Sequence, residues 1–333
     1  MIIDRATRSL VMRIRPEKIA TLRQIFPSYT KEIVYQGETL LACAHTIPIV
    51  KVLRNMGVKA PSPIRYYYNW PRPSRFPTIF DHQYATADFL TLHTKCFVLN
   101  EMGTSKTASA LWTADYLMSL GKVKKVLIAC TMSTMESVWL NEIFDVCMHR
   151  SAVVLHADAE KRRAMLAHDV DFYIINHDGL KILRRDLIAR TDIDLVIVDE
   201  AAAFRNGQTE LYEALAAITA PKPRLWLMTG APTPNAPTDA WALALLVNKS
   251  QVPAHFTQFK RKTMMQISTY KWVPRPGSHE AAYNVLQPGI RFKKSDCLSL
   301  PPVTYSTRKV GLSKEQTDAY ATMKTHLVLH LGT

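Results

Sequence analysis

The sequence predicts an α/β protein: a parallel sheet covered by helices on both faces, preceded by a small α/β module. Three observations predict it. Short, nearly uniform apolar runs recur at 97–99, 126–130, 153–156, 172–175, 195–198 and 225–228, with helix-like stretches between them. Strands buried on both faces read as continuous apolar runs, and their alternation with helices is the mark of parallel βα units. The first of these runs leads into Asn100-Glu101-Met102-Gly103-Thr104-Ser105-Lys106-Thr107, followed by a helix-like run over 108–120. The fifth ends in Asp199-Glu200. Parallel sheets bind ligands at the carboxyl ends of their strands, where both polar segments fall.

The elements follow in order. Residues 10–14 alternate like a strand, and 17–25 are helix-like after Pro16. Residues 32–45 read as a hairpin turning at Gln36-Gly37-Glu38, and 47–56 as a helix stopped by Gly57. This makes 1–60 a small basic α/β accessory module. Residues 61–77 are dense in proline and contain Tyr66-Tyr67-Tyr68-Asn69-Trp70. Proline density reads as a linker, whose aromatic rings either stack on nucleobases or anchor it to a neighbouring core. The βα array occupies 78–250, a basic bridging segment 251–312, and a short terminal stretch 313–333.

Charge separates these regions. The chain has 333 residues and a net charge of +14. Residues 1–75 carry 13 Lys/Arg against 4 Asp/Glu, residues 76–254 carry 17 against 20, and residues 255–310 carry 10 against 2. Two basic flanks around a slightly acidic centre point to a polyanionic partner, nucleic acid above all, gripped outside the central unit. The five cysteines are scattered with no C-x-x-C, so neither a zinc ribbon nor a disulfide framework is indicated, which suits a reducing compartment. The expected location is the cytoplasm of a bacterial or phage-infected cell, or the nucleus of a eukaryotic one. The first twelve residues lack the apolar core of a signal peptide, and no apolar run has the length of a membrane span, so no membrane partner is expected.

A strand, a small-residue loop, a Lys-Thr pair and a helix together build a phosphate-binding loop. Backbone N–H groups and the helix N-terminus attract anions, Lys106 adds a point charge for β/γ-phosphates, and the Thr107 hydroxyl can ligate Mg2+. Met102, Gly103, Thr104 and Ser105 form the loop between them. The pattern G-x-x-x-x-G-K-[ST] wants glycine where Asn100 and Ser105 stand, so the competing reading is an ordinary strand–turn–helix with an exposed lysine. Asp199, 93 residues after Lys106, can hold Mg2+, and Glu200 can orient or deprotonate an attacking water. In Leu227-Met228-Thr229-Gly230-Ala231-Pro232 a strand again ends in a Gly/Pro turn. Thr229 and Gly230 there could report the state of the phosphate site, or form a plain β-turn. Upstream, the amide of Gln83 in Phe80-Asp81-His82-Gln83 could read one edge of adenine.

The order of Gln83, the Met-Gly-Thr-Ser-Lys-Thr loop, Asp199-Glu200-Ala201-Ala202 and Thr229-Gly230-Ala231-Pro232 resembles superfamily 2 helicases, specifically Swi/Snf-type DNA translocases, including phage and annealing-helicase relatives. The resemblance runs from about 76 to 324 and includes the basic Leu286-Gln287-Pro288-Gly289-Ile290-Arg291-Phe292-Lys293-Lys294, Leu298-Ser299-Leu300-Pro301-Pro302 and Leu312-Ser313-Lys314-Glu315-Gln316. It implies a RecA-like P-loop NTPase lobe using ATP and Mg2+ on DNA, double-stranded or branched, in repair, recombination or replication. Lys106, Asp199 and Glu200 are the implied catalytic residues. Residues 126–133 resemble the motif whose hydroxyls, here Thr131 and Ser133, contact a DNA phosphate. Asn176 and His177 stand where threonines are more usual in a second such motif.

The family's motor has two lobes, and the second supplies arginines to the transferring phosphate. The sequence ends at Thr333, at the start of that lobe. We therefore expect a fragment, a truncated product or half of a split motor, with a second-lobe polypeptide as possible partner and weak turnover by residues 1–333 alone. The alternatives are a non-catalytic DNA-binding remnant and a strand-separating helicase or restriction-motor subunit.

Overall fold

The structure is a computed structural model that describes residues 1–35, 37–73, 78–297, 304 and 306–326. It divides into two compact units, 1–297 and 298–333.

The first unit opens with four antiparallel strands, β1 (Ile2–Asp4), β2 (Ser9–Met12), β3 (Thr30–Tyr35) and β4 (Glu38–Ala44), in the order β1-β2-β4-β3. Helices Pro16–Ile25 and Ile47–Asn55 complete this module. Strand β1 was not foreseen: three residues with one charge carry no periodicity, and its pairing with β2 defines it. The proline-rich stretch is pinned down by its aromatic rings. Trp70 is buried and sits edge-on to Tyr68, Tyr84 and Trp112. The Tyr68 hydroxyl donates to Asp115 at 2.7 Å, and Trp112 Nε1 donates to the Pro71 carbonyl at 2.7 Å. Of the two uses open to these rings, Tyr68 and Trp70 are committed to anchoring.

The central sheet contains the six expected strands: β5 (Lys95–Val98), β6 (Lys125–Cys130), β7 (Ala152–Val154), β8 (Phe172–Asn176), β9 (Ile193–Val198) and β10 (Arg224–Met228). The bridging segment adds a small hairpin, β11 (Met264–Gln266) with β12 (Trp272–Pro274), and then β13 (Gly289–Ile290). The large sheet is parallel throughout, in the order β13-β5-β10-β9-β6-β8-β7. Successive side chains on a strand point to opposite faces, and each face has its own core. Cys96, Val98, Ile128, Ile197 and Trp226 meet helices Asp81–Leu92 and Lys106–Ser119 and the N-terminal module. Phe97, Leu127, Val196, Val198 and Leu227 meet helices Glu210–Thr219, Ala240–Val247, Phe256–Thr263 and Ser278–Val285. The predicted α/β fold, a parallel sheet covered on both faces, is the fold observed.

In the second unit the described residues include the helix Lys314–His326. Ser313 and Gln316 cap it reciprocally: the Ser313 hydroxyl accepts from the Gln316 N–H, and Gln316 Oε1 accepts from the Ser313 N–H. The Leu298-to-Pro302 motif lies outside the described residues. Among the described residues no helix is long and apolar enough to cross a membrane.

Candidate functional site

The sheet order decides which loops meet. Strand β10 lies between β5 and β9, so its carboxyl end separates the loop after β5 from Asp199-Glu200 after β9.

In the loop after β5, Gly103 (φ +83°) and Ser105 (φ +53°) both adopt left-handed backbone. Glycine does so freely. Ser105 has a Cβ and is strained by roughly 1–2 kcal/mol. The helix Lys106–Ser119 begins directly after it, leaving its first N–H groups without intrahelical partners at the loop. The Glu101 carbonyl accepts from the Thr104 hydroxyl at 2.8 Å and from Lys106 Nζ at 3.4 Å. The Thr104 carbonyl accepts from His82 Nε2 at 3.1 Å, which fixes the tautomer of that buried ring. Asn100 is buried, donating to the Thr86 hydroxyl at 2.9 Å and accepting the Phe292 N–H at 3.1 Å.

Burial pushes the Lys106 ammonium below its usual range, and the carboxylates of Asp199 and Glu200 oppose that shift. Asp199 is held from two sides: its Oδ2 accepts from the indole of fully buried Trp139 at 3.1 Å, and its Oδ1 from the Glu200 N–H at 3.1 Å. Glu200 also sits in left-handed backbone, at φ +49°, and strain of this kind in a non-glycine residue gathers at functional sites. Burial raises its pKa, as does neighbouring Asp199; Lys106 and a hydrogen bond from Thr229 pull the other way. The Thr229 hydroxyl also accepts the Ala231 N–H at 3.3 Å. A Cβ on Gly230 would meet the Met102 nitrogen at 3.3 Å and the Asn100 oxygen at 3.5 Å, so a hydrogen there lets the turn lie against the loop backbone.

The other expected residues are placed as follows. Gln83 is buried, and its Oε1 accepts the Phe80 N–H at 2.9 Å, capping the helix Asp81–Leu92. Thr131 and Ser133 lie after β6, their hydroxyls 3.3 Å apart, with Ser133 exposed. Asn176 is buried, and its Oδ1 accepts from the buried Arg162 guanidinium at 2.8 Å. His177 Nε2 donates to the Asp199 carbonyl at 2.9 Å, and its ring meets Phe204 edge-on. His177 thus braces the site from within, while Asn176 is committed to Arg162. Sequence reasoning missed Asn100, Trp139, His82 and Phe292 as supports. Only Asn100 left a signal, as the non-glycine at the head of the loop.

Against known proteins, the chain matches the SNF2-related domain over residues 49–332. It belongs to the SNF2-related family. A Bacillus subtilis (strain 168) protein named as an uncharacterized ATP-dependent helicase, YqhH, is 25% identical over 177 residues, 52% of this chain and 30% of that one. The Sulfolobus solfataricus SWI2/SNF2 ATPase core in complex with dsDNA is similar at TM-score 0.57 and 19% identity, over 69% of this chain and 46% of that one. The same organism's SWI2/SNF2 ATPase core domain is similar at TM-score 0.51 and 18% identity, over 66% and 44%. The chain therefore spans under a third of that curated relative and under half of these solved chains. The two solved structures establish a shared RecA-like fold.

This SNF2-related domain fits a magnesium–nucleoside triphosphate. Loop N–H groups, the helix N-terminus and Lys106 would supply its anion-binding groups, and Thr107 and Asp199 its hard oxygen donors. Among the described residues no cluster of three or more His, Cys, Asp or Glu could hold a metal alone. Mg2+ is commonly held by one or two carboxylates with substrate phosphates and water, so a partial protein set suits it.

Proposed function

We propose that this SNF2-related domain is the first motor lobe of an ATP-dependent DNA translocase acting on double-stranded DNA. The observation that carries the reading is the sheet order: only β10 separates the loop bearing Lys106 from Asp199-Glu200, the Gly230 turn after β10 lies against that loop, and the two carboxylates act on the Lys106 ammonium. At this site, the loop and Lys106 would bind the β/γ-phosphates, and Thr107 and Asp199 would hold Mg2+, which would supply charge neutralisation there. Trp139 fixes the Asp199 carboxylate, and Glu200, with its raised pKa, accepts a proton from water. Gln83 would meet the adenine through its side-chain amide. Thr229 and Gly230, against both the loop and Glu200, carry the phosphate state onward. Support for DNA comes from the basic flanks, and for its duplex form from the SWI2/SNF2 core solved with dsDNA. Thr131 and Ser133 are the contacts offered to a DNA phosphate. A second lobe completes the motor, in the cytoplasm or nucleus.

The test is ATP turnover and DNA binding by the wild-type chain and by Glu200→Gln. Expected are salt-sensitive duplex binding, slow turnover by residues 1–333, and Glu200→Gln at background turnover with ATP binding intact. Preference for single strands with an unwound product would favour a strand-separating helicase. Absence of ATP binding would favour a DNA-binding remnant.

A further inference from the structure

The basic segment after the βα array does more than lead away from the site. From Pro288 to Lys294 it runs beside β5 and continues past the strand's end along the phosphate loop. The Pro288 carbonyl accepts the Phe97 N–H at 2.9 Å, the Ile290 carbonyl the Leu99 N–H at 2.7 Å, and the Phe292 carbonyl the Glu101 N–H at 3.0 Å. Asn100 Oδ1 then takes the Phe292 N–H, and Glu101 Oε2 takes the Lys294 N–H at 2.9 Å. The register brings Lys294 over the loop: a Cβ built on Gly103 would meet its Cε at 3.6 Å and its Nζ at 3.8 Å. An exposed ammonium therefore lies against the mid-loop glycine, at the surface where phosphates are read to bind.

We propose that Lys294 is a second cation of the phosphate site, clamping the polyphosphate of a bound nucleoside triphosphate together with Lys106. The proposal rests on the reading of the loop as a nucleotide site. Its chemistry is a charge-assisted bond to a non-bridging phosphate oxygen. The strap is held through backbone groups of 288–294 and the side chains of Asn100 and Glu101, so a change in the Lys294 side chain leaves it in place. The ammonium reaches the phosphates from the segment that leads out of the first unit, so nucleotide charge acts directly on that segment. Arg291 and Lys293 of the same run are exposed and lack this register.

Equilibrium titration of ATP, ADP and AMP, with Mg2+, into wild-type, Lys106→Ala, Lys294→Met and Lys294→Arg chains tests this at two salt concentrations. Methionine keeps the packing on Gly103 and removes the charge; arginine keeps the charge. We expect Lys294→Met to weaken ATP by about tenfold, the scale of one charge-assisted hydrogen bond, to weaken ADP less and to leave AMP unchanged. Its ATP affinity should depend less on salt, and Lys294→Arg should stay within about twofold of wild type. Wild-type ATP affinity in Lys294→Met, with loss in Lys106→Ala, overturns the clamp and leaves the loop reading standing. Equal loss for AMP and ATP shows a packing role and also overturns it. A wild-type chain that binds no ATP brings down both readings.

Discussion

Two stretches of the same sheet edge behave differently. At the ends of β5, β10 and β9, the residues singled out by sequence converge. The charges of Asp199 and Glu200 act on Lys106, Thr229 bonds Glu200, and Gly230 lies on the loop backbone. At the ends of β6 and β8 they diverge. Ser133 is exposed beside Thr131, while Asn176 is buried on Arg162 and His177 holds the Asp199 carbonyl. Motif order and strand position bring a residue to the right edge. Which way its side chain turns is set by local partners, and those are non-local in sequence.

Five substitutions sharpen this contrast. The largest effect belongs to Asn176→Ala, which takes an acceptor from a buried guanidinium and should cost about 2 kcal/mol of unfolding free energy, read by denaturant titration. A cost under ~0.5 kcal/mol would show Asn176 to be free for a ligand after all. Next, Ser105→Gly should stabilise the chain by about 1 kcal/mol, because glycine accepts left-handed backbone that serine resists. Smaller is Glu200→Gln. Its carboxyl has a raised pKa in the folded chain, so its ionised form disfavours folding. The variant should gain stability at neutral pH, with the gain fading as pH falls through the folded pKa towards the unfolded one. Thermal unfolding across pH 4–8 reads that trend; a variant less stable than wild type at pH 8 would contradict it. Last, Thr131→Ala and Ser133→Ala should leave stability within about 0.5 kcal/mol and lower duplex affinity, the reverse of Asn176→Ala.

The βα array was legible because each of its six strands is a local apolar run bounded by turns. Strand β13 was not: Gly289 and Ile290 sit within a basic run, and only pairing with Phe97 and Val98 makes them a strand. For the same reason the strap over the loop was invisible, since it depends on Asn100 and Glu101 meeting residues about 190 positions later. Lys106, at a helix start, and Asp199 and Glu200, at a strand end, stand out in the sequence by residue type and position. The supports Trp139 and His82 were not, because a lone tryptophan or histidine has no spacing that announces a partner. The departure at Ser105 was readable, and its left-handed backbone shows what it costs.

The convergence of Lys106 with the two carboxylates is the centre of this account, and ligand-linked thermal unfolding addresses it most directly. A ligand that binds only the folded chain raises its stability with concentration. With excess ATP–Mg2+, the account predicts a clear rise in Tm for the wild-type chain and for Glu200→Gln, and none for Lys106→Ala. An unmoved wild-type Tm, or an equal rise in Lys106→Ala, would contradict it.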